Sequence, residues 1–215
     1  MPFIQKIEFN EGSSGIWELT ETPAELLNMA NLTDAEKTLF SKISAPKRQV
    51  EFLATRILTE KITGKKIEII YQTDGKPTLL NSHKFISISH SANMVVVFIS
   101  ELNCGVDVET ISRDTDRIAK RFLHVSEMKN IQKSDQPKLL QLLYWCAKEA
   151  VFKCSPQKGV QFNEQILISP FNMNHETHFK ASLTSETDNE NFNLWFLQIK
   201  NNMLVFCVEM GKNEQ

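Results

Sequence analysis

The chain has 215 residues, of which 41% are hydrophobic and 23% are charged, and its formal net charge is −2. These values are typical of a globular protein that buries a core in one or two domains. A net charge so close to zero gives no general attraction to nucleic acid or to a membrane surface, so an anion-binding site in this chain must be local.

The sequence also bears on cellular location and on the state of the cysteines. The N-terminal stretch "MPFIQKIEFNEGSSG" lacks the basic start and apolar core of a signal peptide. The longest uninterrupted apolar run, Met94–Ile99, is too short to span a bilayer. The four cysteines form no CxxC pair, which favours buried, reduced thiols over a zinc knuckle or a disulfide framework. We therefore expect a cytoplasmic protein with no membrane or nucleic-acid partner.

The first third of the chain carries strand signals and then helix signals. Alternation of apolar and polar residues predicts strands over Phe3–Phe9 and Gly15–Glu18. Thr22 and Thr33 are candidate helix N-caps, and acidic residues follow Thr33 in the first turn. A longer amphipathic helix is predicted over "APKRQVEFLATRILTEKITG", ending at Gly64. Its apolar stripe consists of Val50, Leu53, Ala54 and Ile57.

Strands dominate the next segment. "KIEIIYQ" alternates as a strand, and "TDGKP" is a turn in which Gly75 can adopt positive φ. "KFISISHSANMVVVFIS" predicts two strands joined at "HSAN", and we expect "CGVDVE" to continue the same sheet.

The remaining segment returns to helices and then to strands. Helices are predicted from about Thr115 to Phe122 and from about Lys138 to Lys153. The tail "NFNLWFLQIKNNMLVFCVEM" predicts a hairpin around an Asn-Asn turn. Segregated runs of helix and strand indicate the α+β class. The pattern of the first half resembles that of the second, and the break near Ser100–Asn103 predicts domains of residues 1–102 and 103–215.

The strand "GVDVE" raises a question of charge. Residues two apart in a strand point to the same side, so Asp107 and Glu109 share one face while Val106 and Val108 occupy the other. A solvated strand face is the ordinary explanation, because half-buried strands alternate in this way.

The helix "LLYWCAKEAVFK" makes that explanation less satisfactory. An apolar stripe containing Leu142, Trp145 and Cys146 is continued by Glu149 and Lys153. An unpaired buried carboxylate is costly, although a surface Glu–Lys pair at helical spacing is common.

Together, Asp107, Glu109 and Glu149 would form a cluster that needs a cation. Magnesium prefers such oxygen ligands and completes its coordination with water and substrate phosphates, and Lys148 or Lys153 could neutralise a phosphate. Carboxylates, a divalent ion and a lysine are the components of phosphoryl transfer.

These motifs, in this order, resemble the 4′-phosphopantetheinyl transferase superfamily, specifically its larger, single-chain, surfactin-synthetase-activating type. The family signature appears as "GVDVE" (Gly105–Glu109) and "WCAKEAVFK" (Trp145–Lys153), preceded by "DGKP" and "SISHS". "AKRFLHVSE" (Ala119–Glu127) is similar to a further family stretch. The resemblance spans about Arg48 to Lys153.

The resemblance implies transfer of the 4′-phosphopantetheine arm of coenzyme A to a serine of an apo acyl or peptidyl carrier protein, with release of adenosine 3′,5′-bisphosphate. It implies a Mg²⁺ site made of Asp107, Glu109 and Glu149. The implied catalytic residues are Glu149, Lys153 and Asp107, with Glu149 as general base, directly or through water. The residues implied to bind coenzyme A are Arg48, Arg56, Lys76, Ser89, His90, Gly105, Lys148 and Lys153.

The family fold implied is two similar α+β halves related by a pseudo-twofold, with coenzyme A in the cleft between them. Residues 1–102 would bind the adenine and 3′-phosphate, residues 103–215 would carry the metal and catalytic motifs, and the chain would be a monomer. The basic segment from Arg113 to Phe122, with Phe122 or Leu123 as an apolar anchor, would meet an acidic carrier helix. Glu127 would tie the halves together. The alternatives are a catalytically silent coenzyme A- or carrier-binding module and a metal-dependent phosphohydrolase.

Overall fold

The computed structural model describes residues 3–185 and 188–211. The chain divides into two compact units, Met1–Leu102 and Asn103–Gln215. Each unit combines helices with an antiparallel sheet, which confirms the α+β class. The pseudo-twofold stays a prediction. Among the described residues, no helix has both the length and the apolar character needed to cross a membrane.

The first unit consists of one long helix, shorter helices and antiparallel strands. In chain order its elements are β1 (Phe3–Phe9), β2 (Gly12–Glu18), α1 (Pro23–Met29), α2 (Asp34–Phe40), α3 (Pro46–Thr63), β3 (Ile69–Tyr71), β4 (Pro77–Leu79), β5 (Phe85–Ser91) and β6 (Met94–Ser100). The sheet order is β1-β2-β6-β5, and β3 and β4 form a separate hairpin.

Local signals in this unit act as the sequence predicts. Thr22 and Thr33 each accept a hydrogen bond from a backbone N–H in the first helical turn, and Glu25 and Glu36 complete the two capping boxes. Helix α3 ends at Gly64, which takes a left-handed φ of 70°. The predicted apolar stripe of α3 is buried against β2 and β6.

The second unit places one long helix on a larger antiparallel sheet. Its elements are β7 (Cys104–Thr110), a 3₁₀ turn (Asp116–Ile118), α4 (Ala119–Phe122), α5 (Val125–Gln132), α6 (Pro137–Cys154), α7 (Phe162–Gln165), β8 (Ile166–Ile168), β9 (His178–Thr184), β10 (Asn189–Ile199) and β11 (Asn202–Glu209). The sheet order is β7-β11-β10-β9-β8. Helix α6 packs on β7 and β11. All four cysteines are buried thiols.

Three sequence predictions need correction. "CGVDVE" does not continue the first sheet, because β7 pairs with β11, with Asp107 opposite Val205. The helix predicted over 115–122 is a 3₁₀ turn followed by the single turn α4. In the C-terminal hairpin Ile199 pairs with Asn202, so the turn residues are Lys200 and Asn201 rather than two asparagines.

Candidate active site

Helix α6 lies unusually close to strand β7 at Gly105. A Cβ atom on Gly105 would lie 1.9 Å from the carbonyl oxygen of Ala150, which no real side chain could occupy. This glycine therefore serves helix-to-strand packing within the unit, and its contact with coenzyme A stays a prediction. Because residues two apart share a strand face, Asp107 and Glu109 also project towards α6.

That packing brings a lysine of α6 onto an aspartate of β7. Lys153 Nζ lies 2.8 Å from Asp107 Oδ1 and donates a further hydrogen bond to the carbonyl of Val106 at 3.1 Å. The Asp107 side chain is only 6% exposed, whereas that of Lys153 is 29% exposed. The pair therefore joins a buried carboxylate to a cation that water, or a substrate, can still reach.

Glu149 lies one helical turn before Lys153 and is half-buried. Burial raises the pKa of its carboxyl to about 7, and the negative charge of Asp107 adds to this rise. Lys153 and Arg113 act in the opposite direction without cancelling it. A carboxyl with a pKa near 7 can gain and lose a proton at physiological pH, as general acid–base catalysis requires.

Glu109, at the end of β7, is paired with Arg113. A turn in which the Arg113 N–H donates to the Thr110 carbonyl folds this arginine back over the strand end. The guanidinium carbon also lies 5.1 Å from the ring of Trp145. Arg113 thus contacts a carboxylate of β7 and an aromatic ring of α6 at once.

A metal site must be tested against this geometry. Among the described residues, no group of three or more His, Cys, Asp or Glu side chains is arranged to hold a metal ion. A complete protein cage is not what magnesium needs, since it commonly takes one or two carboxylates together with substrate phosphates and water. The hard oxygens of Asp107, Glu109 and Glu149 suit that mode of binding, and the three groups are close enough that, after burial, the charges of Asp107 and Glu109 also raise the pKa of Glu149.

Lys148 does not belong to this site. Its side chain is fully buried and its ammonium contacts Glu127 Oε2 at 2.7 Å and the carbonyls of Phe162 and Ile166 at 2.8 and 2.6 Å. An ammonium has three protons to donate, and these three acceptors use them. The expectation that Lys148 binds a phosphate is therefore wrong. The hydrogen bonds and the ion pair of Glu127 lie within the second unit, and its predicted link to the first unit stays a prediction.

In the first unit, a cavity of about 490 Å³ is lined by three residues predicted to bind coenzyme A, namely Arg48, Arg56 and His90. Arg48 Nη1 lies 2.9 Å from His90 Nε2, and because arginine only donates, the imidazole accepts at Nε2 and carries its proton on Nδ1. Glu51, only 5% exposed, lies 3.0 Å from the same Arg48 nitrogen and 3.6 Å from His90 Nδ1. Sequence reasoning missed Glu51.

Arg56 lines the same cavity from deeper in α3. Its Nε donates to Glu36 Oε1 at 3.2 Å, and its guanidinium carbon lies 3.4 Å from the centre of the Phe52 ring. Nη2 is buried and has no hydrogen-bond partner among the described residues. A buried donor without a hydrogen-bond partner destabilises the folded protein unless a ligand accepts its hydrogen bond.

Lys76 and Ser89 complete the predicted coenzyme A set. The backbone N–H of Lys76 donates to Asp74 Oδ1 at 2.9 Å, which fixes the "DGKP" turn. Gly75 and Pro77, on either side of Lys76, line the cavity. Ser89 is buried on β5, one residue before His90.

The predicted carrier-facing segment also needs a correction. Phe122 and Leu123 are 1% and 3% exposed and belong to the core of the second unit, so neither can serve as a surface anchor. Phe122 packs edge-on against Trp145, with ring centres 5.1 Å apart. Two residues beyond Leu123, Val125 is 57% exposed, and it was not singled out from the sequence.

Comparison with known proteins agrees with this geometry. Residues 103–208 match the model of the 4′-phosphopantetheinyl transferase superfamily. The chain is 27% identical over 136 residues to the 4′-phosphopantetheinyl transferase psf-1 of Bacillus pumilus, a match that covers 61% of this chain and 54% of that protein. It is 29% identical over 152 residues to the 4′-phosphopantetheinyl transferase gsp of Aneurinibacillus migulanus, covering 70% of this chain and 60% of that protein.

The chain thus spans a little over half of the length of these relatives. The matched stretch contains both β7 and α6, the two elements whose close packing brings Asp107, Glu149 and Lys153 together. Both relatives carry the same family name as the matching model. On these grounds residues 103–208 are similar to the 4′-phosphopantetheinyl transferase superfamily.

Proposed function

We propose that the protein transfers the 4′-phosphopantetheine arm of coenzyme A to a serine of an apo carrier protein and releases adenosine 3′,5′-bisphosphate. The observation that carries this proposal is the juxtaposition of Glu149, with a pKa of about 7, and the Lys153–Asp107 pair. In the reaction the serine oxygen forms a bond to the phosphorus that bears the pantetheine. The bond from that phosphorus to the bridging oxygen of the pyrophosphate breaks, and the electron pair leaves with the bisphosphate.

Glu149 is the proposed acceptor of the serine proton. Its pKa near neutrality supports this role, because the carboxylate is then basic enough to take a proton and still present in quantity. Coordination of the metal by Glu149 would compete with its role as base, since a tightly bound cation makes a carboxylate a weaker base.

Lys153 is the proposed partner of the pyrophosphate oxygens. Its ammonium is held by Asp107 and by the Val106 carbonyl, which fixes its position before a substrate arrives. A fixed positive charge stabilises the negative charge that develops on the leaving group without further reorganisation.

Magnesium, when bound, would neutralise the pyrophosphate charge and hold its oxygens in position. Asp107 and Glu109 are the proposed ligands from β7, with Glu149 as the third carboxylate. Asp107 and Glu109 project on one face of the strand, and hard oxygen donors of this kind are those that magnesium prefers.

The first unit is proposed to bind the adenosine end of coenzyme A, with the 3′-phosphate on Arg48, Lys76 and His90 and with Ser89 lining the same pocket. Arg56 lines a cavity of about 490 Å³ and keeps an unmet buried donor at Nη2, and these two observations support an anionic ligand there. Arginine is well suited to this task, because its fork of donors matches the oxygens of a phosphate.

The proposed carrier-protein contact is the segment that follows β7. Arg117, Lys120 and Arg121 make it basic, and the exposed Val125 replaces the buried Phe122 and Leu123 as the apolar contact. A basic surface with one apolar anchor suits an acidic helix of a carrier.

Intact-protein mass spectrometry tests the reaction. An apo acyl or peptidyl carrier protein is incubated with this protein, coenzyme A and magnesium. A mass gain of one phosphopantetheine arm that disappears when EDTA is added would support both the reaction and its metal dependence. If coenzyme A is cleaved while the carriers keep their mass, the protein is a phosphohydrolase; if coenzyme A stays intact, it is a binding module.

Two variants make the same assay specific for the site. Glu149→Gln preserves the size of the side chain and removes the base, so we expect transfer to fall at least about a hundredfold. Glu176→Gln changes an exposed glutamate elsewhere in the second unit and should leave transfer unchanged. A fully active Glu149→Gln protein would contradict the assignment.

A further inference from the structure

The two carboxylates of β7 are each paired with a cation, but the two cations are held differently. Lys153 comes from within α6 and donates to Asp107 and to a backbone carbonyl. Arg113 comes from the turn that follows β7 and pairs with Glu109 while its side chain remains 37% exposed. The first cation is part of the packed helix, whereas the second lies at the surface.

Arg113 also has a second place to bind. Its guanidinium carbon is 5.1 Å from the ring of Trp145, which is close enough for a cation–π interaction. Arginine is more weakly hydrated than lysine and stacks readily on aromatic rings. Arg113 could therefore leave Glu109 and still be held beside α6 by Trp145.

From this arrangement we propose that Arg113 is a built-in counter-ion that competes with the divalent metal for Glu109 and is displaced onto Trp145 when the metal binds. This inference rests on the proposed function, because it takes the metal site of Asp107, Glu109 and Glu149 as given. It adds a residue that tunes metal affinity and that the motif-based assignment leaves out.

The physical argument is one of competition for a single carboxylate. Glu109 is 13% exposed, so its charge is partly desolvated and gains from a cation in either state. Metal binding therefore requires that the Arg113–Glu109 pair be broken, and the metal is also repelled by the nearby guanidinium. Removing Arg113 eliminates both costs, so divalent ions should bind about three- to tenfold more tightly.

The test measures Mn²⁺ binding directly, by the loss of the electron paramagnetic resonance signal of free Mn²⁺, with and without saturating coenzyme A. The full chain and its Arg113→Gln variant are titrated under identical conditions at low salt. We expect the dissociation constant of the variant to be about three- to tenfold smaller than that of the wild type. A dissociation constant that is unchanged or larger would overturn the proposal.

A matched control separates this effect from a general change in charge. Lys138→Gln removes the same unit of positive charge from the same unit of the protein and breaks another surface ion pair, that with Asp116. We expect it to leave Mn²⁺ affinity within about twofold of the wild type. An equal gain in affinity for Lys138→Gln and Arg113→Gln would show only a bulk charge effect and would count against the proposal.

Two further measurements keep the outcome interpretable. If the circular dichroism spectrum of Arg113→Gln shows that it is misfolded, Arg113→Lys takes its place, because lysine keeps the charge but loses the fork of donors and the stacking. We expect this variant to bind Mn²⁺ about twofold more tightly than the wild type, and unchanged affinity would overturn the proposal. A wild-type protein that binds no Mn²⁺ even with coenzyme A present would instead refute the proposed metal centre itself.

Discussion

The two units bury similar carboxylate–cation pairs and use them differently. In the first unit Glu36 occupies the third position of α2, where Oε2 accepts from the Thr33 N–H at 3.1 Å. Its Oε1 accepts from Arg56 of α3 at 3.2 Å and from the Ile69 N–H of β3 at 3.4 Å. One carboxylate thus joins a short helix, a long helix and a strand.

In the second unit Glu127 occupies the corresponding third position of α5. Oε2 accepts from the His124 N–H at 2.8 Å and pairs with Lys148 of α6 at 2.7 Å. Oε1 accepts from the Ile168 N–H of β8 at 2.9 Å. The same three kinds of element are joined, although neither α5 nor β8 was anticipated from the sequence.

The difference lies in what remains unsatisfied on each cation. Lys148 has an acceptor for each of its three protons and no exposed surface. Arg56 keeps a buried Nη2 with no partner among the described residues, beside a cavity. A fully satisfied pair serves to fix the fold, whereas a pair with a spare donor next to a cavity can also bind a ligand. We infer that the first unit uses the shared arrangement for binding and the second for support.

The largest expected effect comes from breaking the satisfied pair. Lys148→Met leaves the carboxylate of Glu127 buried without its cation, so the free energy of unfolding should fall by about 3–5 kcal/mol. Urea unfolding followed by circular dichroism measures this change. Adding Glu127→Gln to the same protein should restore part of the loss, because no buried charge then remains. A loss below about 1 kcal/mol for Lys148→Met would mean that the pair is not structural.

Breaking the pair in the first unit should cost less stability and more binding. Arg56→Met leaves Glu36 with two backbone donors but no cation, and it also removes an unmet donor. We therefore expect the free energy of unfolding to fall by only about 1–3 kcal/mol. Affinity for coenzyme A should fall about tenfold by calorimetry, with a smaller change for 3′-dephospho-coenzyme A. The control for binding is Lys61→Met, which removes a positive charge from the same helix as Arg56. Lys148→Met cannot serve as this control if it unfolds the protein.

If Arg56→Met binds coenzyme A like the wild type but unfolds as readily as Lys148→Met, the two pairs are equivalent. The distinction between a binding pair and a supporting pair would then be wrong.

The sequence predicted the fold best where local signals decide it. Capping threonines, Gly64 and the adjacent strands β5 and β6 depend on neighbours in the chain, and all were predicted correctly. The sheet to which β7 belongs could not be recovered, because its partner β11 lies almost a whole unit away in sequence. Short elements such as β8 and α7 carry too few residues to show a period.

The candidate site shows the same division. The spacing of Asp107, Glu109, Glu149 and Lys153 indicated a shared face and a shared stripe, which the structure brings together on β7 and α6. Lys148 could not be judged from its motif, since adjacent helical residues point to different sides and only the fold shows that this one meets Glu127. Glu51 and Arg113 carry no motif, and their importance follows only from what surrounds them.

The smallest expected effect concerns Glu149, a half-buried carboxylate that forms no ion pair among the described residues, and it sharpens the contrast with Glu36 and Glu127. The pKa of Glu149 is raised from its ordinary 4.5 to about 7, mainly by burial and then by Asp107. The folded protein therefore binds this proton more tightly than the unfolded chain. Stability from this group is greatest below pH 4.5 and is lost as the pH rises towards about 7.

Glu149→Gln removes the cost of keeping a charged, half-buried carboxylate at high pH. In EDTA at pH 8, urea unfolding should therefore show the variant to be more stable than the wild type by about 1–2 kcal/mol. The difference should shrink as the pH is lowered towards about 5, where the wild-type carboxyl is protonated in the folded state. Glu127→Gln provides the contrast, because this carboxylate is paired with Lys148 and its loss should destabilise the protein at both pH values. A Glu149→Gln protein less stable than the wild type at pH 8 would place Glu149 among the supporting charges rather than the functional ones.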